Sequence, residues 1–96
     1  MKLQPHEVEL TGKWIFENGR MRADEACERI KWLVSHYLKK LAISKEYGAW
    51  ETLFQDPEDG RYWEQTYPES GMHGGGPPRL SEIAIESAKA KYLLND

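Results

Sequence analysis

Cysteine is almost missing from this chain: Cys27 stands alone among 96 residues, which excludes an intramolecular disulfide framework. Histidine is scarce as well. His6, His36 and His73 are scattered, with no H-x-x-x-H or Cys/His spacing, so neither a zinc centre nor any other cofactor is expected. No apolar run approaches the roughly 18 residues that cross a bilayer. Residues Met1 to His6 also lack the apolar core of an export signal. A protein with neither disulfide nor export signal is expected in the cytoplasm, away from membranes. Activating motifs are missing too, since Ser35, Ser44, Ser70, Ser81 and Ser87 lie in no nucleophile signature. His73 precedes Gly74-Gly75-Gly76 much as in a lipase oxyanion loop, but no G-x-S-x-G elbow accompanies it. No Lys-Ser/Thr follows those glycines, so they form no phosphate loop.

Basic charge is the last shortage, and it is local. Residues 46–69 hold seven acids (Glu46, Glu51, Asp56, Glu58, Asp59, Glu64, Glu69) against Arg61 alone, a net of −6. The remainder has nine acids and twelve bases, a net of +3, so the overall −3 conceals a polarised chain. Such polarisation bears on partners and association rate rather than on fold. Nucleic-acid recognition wants a basic stripe with interleaved aromatics. Here Lys31, Lys39 and Lys40 make only a mild patch, while the aromatic-rich segment is acidic, so no direct nucleic-acid role is expected.

What is present suggests one small domain over residues 1–96: an N-terminal extension over 1–9, then a core unit over 10–94. Lys13 to Glu17 alternates around Trp14 and Phe16, and Asn18-Gly19 then offers the dipeptide of a type I′ turn before Arg20-Met21-Arg22 returns. Asp24 sits at a helix N-cap position. From Glu25 to about Ala42, Cys27, Ile30, Leu33, Val34, Tyr37, Leu38 and Leu41 recur at helical spacing. Trp32 falls opposite that stripe, beside His36. Either another segment covers it, or it is an exposed partner anchor.

After a linker over 44–49, Trp50 to Gln55 and Arg61 to Tyr67 read as two strands, joined by Asp56-Pro57-Glu58-Asp59-Gly60 as a type I turn closed by glycine. Both arms carry apolar residues on both faces, and a register slip of one residue would exchange those faces. Leu80 to Ile85 reads as a last strand and Ala88 to Leu94 as a terminal helix. The expected order is ββαβββα, an α+β fold in which helices cover one face of a small antiparallel sheet. The loop Met72 to Pro78 either shapes the backbone or lies flat against a partner.

In order and spacing, Leu10-Thr11-Gly12-Lys13-Trp14, Asp24 to Ile30, Gly48 to Leu53, Asp56 to Glu64, Tyr67-Pro68 and Met72 to Pro78 together resemble the immunity protein 27 family of bacterial polymorphic toxin systems. The resemblance implies a non-enzymatic inhibitor of a cognate protein toxin, and it carries no catalytic residues. The residues themselves suit that role, because acids speed encounter with a basic partner such as a nuclease domain while aromatics supply affinity. The expected partner surface comprises Trp32, Glu51, Asp56, Glu58, Asp59, Tyr62, Trp63, Glu64, Tyr67 and His73. Two rivals stand beside it: a small-molecule or nucleotide-binding regulator using Met72 to Pro78, and a hydrolase using Glu51, Glu64 and His73.

Overall fold

A computed structural model of the chain describes residues 2–44, 48–68 and 76–92. Strand β1 (Glu9–Thr11) leads into the hairpin β2 (Trp14–Glu17) and β3 (Arg20–Ala23). Helix α1 (Glu25–Trp32) continues as a π-helical turn over Leu33–Tyr37. Strands β4 (Lys39–Ser44), β5 (Gly48–Gln55), β6 (Tyr62–Thr66) and β7 (Arg79–Ile83) follow, and α2 (Ile85–Tyr92) closes the described fold. The main sheet runs β1-β7-β6-β5-β4, antiparallel throughout, while β2 and β3 pair only with each other.

The α+β fold is the expected one, and several local signals behave as their chemistry predicts. Asn18 and Gly19 have φ of 52° and 76°, so both central positions of the β2–β3 turn take the positive φ of type I′. Asp24 caps α1 by accepting the Cys27 N–H at 2.9 Å. Burial of Asp24 opposes ionisation, but that N–H and its neighbours outweigh it and hold the carboxyl below its usual range. Gly60, at φ 79°, closes the β5–β6 turn. The closure spans one residue more than a type I turn: the Gly60 N–H donates to the Asp56 carbonyl at 2.9 Å.

Three expectations give way. The helical stripe does not reach Ala42. The Leu38 N–H donates back to the Leu33 carbonyl, and Leu38 itself is extended at ψ 144°, so the helix ends there and β4 begins. Strand β1 also joins the sheet, pairing with β7 at Leu10 and Leu80. The two helices, moreover, lie on opposite faces rather than on one. Phe54 pairs with Trp63, and that face meets Ile30 and Leu33 of the α1 segment; Leu53 pairs with Glu64, and that face meets Ala88 and Tyr92 of α2. Apolar residues on both faces of β5 and β6 follow directly from a central hairpin covered on each side.

The residues before β1 are tied into this body. Leu3 is buried in the α1-side core, and Arg61 donates to the carbonyls of Glu7 and Gln4 at 2.7 and 3.0 Å. Arg29 grips Glu7 through two bonds of 2.6 and 2.7 Å.

Candidate partner interface

The acidic segment is bonded to its own protein. Asp56, only 1% exposed, anchors the β5–β6 turn, accepting backbone N–H groups from Glu58 and Asp59. The Tyr37 hydroxyl lies 2.6 Å from Asp56 and 2.9 Å from Glu58. Burial together with these two carboxylates pushes the Tyr37 phenol far above its ordinary range. Lys2 meets Glu58 at 2.9 Å, and Arg61 bridges Asp59 at 2.7 Å and Glu82 at 3.0 Å. Lys2, and after it Tyr37, draws the Glu58 carboxyl below its usual value. With Glu7 and Arg29 included, this end of the sheet gathers five carboxylates and three cations.

Glu51 and Glu64 do come together, on the face covered by α2, as the hairpin pattern anticipates. Lys91 sits between them at 2.9 and 2.6 Å, and the Tyr92 hydroxyl donates to Glu64 at 2.7 Å. Burial opposes the charge on Lys91, but the two carboxylates outweigh it and raise its pKa. Carboxylates clamped on a cation form a structural ion pair, while Glu51 Oε1 is buried without a hydrogen-bond partner. Among the described residues no group of three or more His, Cys, Asp or Glu is placed to hold a metal ion.

The aromatic candidates separate sharply. Trp63 is fully buried, with the Arg61 guanidinium 4.9 Å from its ring centroid, so it is a core residue and cannot meet a partner without unfolding. Tyr62 and Tyr67 are half-buried. Trp32 is half-buried too, packed on the core and stacked with His36 and Tyr37 at 6.3 and 6.2 Å. Glu58 and Asp59 are exposed at the turn. His73 lies outside the described residues.

Of the exposed large apolar side chains Val8, Phe16, Met21 and Ile43, two sit together away from this segment. Phe16 is 73% exposed and Met21 58%, and they face each other directly across the β2–β3 ladder. Strand alternation places them on one face with Trp14 and Ala23, whereas Ile15, Glu17, Arg20 and Arg22 occupy the other. Trp14 and Ala23 at the hairpin base are half-buried, so the tip overhangs the body. Beside it opens a groove of about 390 Å³ lined by Gly12, Trp14, Met21, Pro68 and Pro77. The alternation of Trp14 and Phe16 was visible in sequence; what it lacked was any sign that the tip finds no cover among the described residues.

A family model described as immunity protein 27 matches residues 16–84, well over half of the chain. No curated protein and no solved structure matches.

Proposed function

The chain belongs to the immunity protein 27 family, and from that premise we propose that it binds and inhibits a cognate bacterial toxin domain by direct, non-catalytic contact. Family membership is the observation that carries the reading. The site chemistry supports it, because Glu51 and Glu64, the acids a hydrolase would use, are held by Lys91. A cytoplasmic setting and the absence of a nucleic-acid partner belong to the same proposal. Among the described residues no helix is long and apolar enough to cross a membrane.

The finer form of the proposal gives the toxin a basic surface, as a nuclease domain would have. Glu58 and Asp59 at the β5–β6 turn then supply long-range attraction, and half-buried Trp32, Tyr62 and Tyr67 contribute contact area. Asp56 and Glu64 support that surface from within. Each is bonded into the fold, and reversing either charge would unfold the turn or the α2 contact before it reported on binding.

Two measurements test this. Co-expression of the protein should protect a bacterial cell against the toxin domain encoded by the neighbouring gene, and failure to protect would remove the immunity reading for that toxin. The double variant Glu58→Lys/Asp59→Lys should slow association about tenfold at low salt, an effect that shrinks as salt rises. An unchanged association rate would sink the acidic-surface form while leaving the family role standing.

The small-molecule alternative rests on the loop from Met72 to Pro78, most of which lies outside the described residues. Its described end, Gly76 to Pro78, borders the grooves beside Trp14. A thermal shift with phosphate-bearing or aromatic metabolites would revive it.

A further inference from the structure

We propose that the β2–β3 hairpin is the anchoring finger of the toxin complex, seating Phe16 and Met21 in an apolar cleft of the partner whose opposite wall is acidic. The inference rests on the immunity reading and names the surface that reading leaves open.

Two large apolar side chains directly opposite on an otherwise unpaired two-stranded sheet are costly to leave in water. They do not complete this molecule's core, whose clusters close without them. The Asn18-Gly19 turn is the tightest connection available to a hairpin, which makes the tip narrow and pre-organised for insertion. Adjacent to Met21, the groove against Pro68 and Pro77 can receive a partner side chain in return.

Charge specifies the rest of the partner. Residues 13–23 hold Lys13, Arg20 and Arg22 against Glu17 alone, a net of +2. Glu17 is already bridged by Arg22 at 3.1 Å, and among the described residues Lys13 and Arg20 have no acidic partner. The finger is therefore apolar on one face and basic on the other, and a complementary cleft presents an apolar wall and an acidic one.

A second copy of this chain fits poorly. A two-fold contact would set two +2 hairpins against each other. A head-to-tail contact between the basic finger and the acidic turn generates an open filament rather than a closed dimer.

Phe16→Ala, Met21→Ala and Arg20→Glu, made in the full chain, test the proposal against the toxin domain encoded by the adjacent gene. Ile43→Ala, on the distant edge strand β4, is the control. Because the three side chains are exposed, their melting temperatures should match the parent, so a binding loss cannot be attributed to misfolding. The expected result is a weakening of at least tenfold for Phe16→Ala and Arg20→Glu, less for Met21→Ala, and none for Ile43→Ala. Parent-like affinity in all three hairpin variants overturns the finger while the parent's own binding preserves the immunity reading. If the parent neither binds nor protects, that reading falls and the finger falls with it. A parent dimer that Phe16→Ala converts to monomer would instead assign the hairpin to self-association and also overturn the proposal.

Discussion

An alanine at position 12 would set its Cβ 2.5 Å from Cys27 Sγ and 2.9 Å from the Pro78 carbonyl oxygen. The thiol could rotate away, but that carbonyl accepts the Gly12 N–H at 2.9 Å and cannot retreat without breaking the bond. Gly12→Ala should therefore cost about 2 kcal/mol, read as a lower denaturant midpoint with an unchanged slope. Glu7 gives a second residue-scale expectation. The bidentate bond from Arg29, acting against the effect of burial, lowers its pKa from 4.5 to about 2. A depressed carboxyl contributes stability that is fully present above pH 4.5 and lost as pH falls towards 2, because the unfolded chain takes up the proton first. Glu7→Gln should thus lower stability at pH 7 by about 2 kcal/mol and lose less than the parent does between pH 5 and pH 2.5. A parallel fall in both proteins, followed by chemical denaturation, would show that the Arg29 pair is not the acid-sensitive link.

At the level of elements, turns and caps were legible because their chemistry is local. Asn18-Gly19, Asp24 and Gly60 each do in the structure what their backbone preferences dictate. The end of α1 was not legible, and the reason lies in β4. A bulge between Lys40 and Ala42 breaks the two-residue alternation, so Leu38 reaches the α1-side core while Leu41 and Ala42 reach the α2-side core. Spacings of three and four between apolar residues then imitate a helix. The π-helical turn over Leu33–Tyr37 adds to the deception by prolonging a helical backbone up to the strand. Among candidate partner residues, Trp63 misled because a sheet covered on both faces buries whatever its central strands carry, acidic neighbours notwithstanding. The hairpin obeys local rules more openly, which makes it separable. Gly19 has open space around it and φ of 76°, so Gly19→Val meets backbone strain of about 1–2 kcal/mol and no clash. Amide exchange should accelerate across β2 and β3 while β5, β6 and β7 keep their protection. Uniform loss of protection would mean that the finger and the sheet unfold as one unit.

For the whole molecule, the sequence-level polarity survives folding but moves. The described acids of residues 46–69 are largely answered by Lys2, Arg61 and Lys91, with Glu58 and Asp59 left exposed at the β5–β6 turn. A basic excess of +2 lies on the β2–β3 finger, beyond the other end of β6, where Thr66 and Thr11 both pair with Arg79. Strand β6 alone separates the two ends by about 13 Å, and the hairpin's own length adds to that. Charges so placed interact weakly through water, since the Debye length near physiological salt is about 8 Å. The two ends should therefore act on toxin association independently. In a cycle of Glu58→Lys/Asp59→Lys, Arg20→Glu and their combination, the changes in the logarithm of the association rate should sum within about 0.5 kcal/mol equivalents. The finger variant should also raise the dissociation rate, because Arg20 belongs to the buried contact, whereas the turn variant should leave dissociation almost untouched. A strong coupling between the two would mean that one compact patch of the toxin touches both ends. Equal dissociation effects would place the turn inside the contact rather than at its approach.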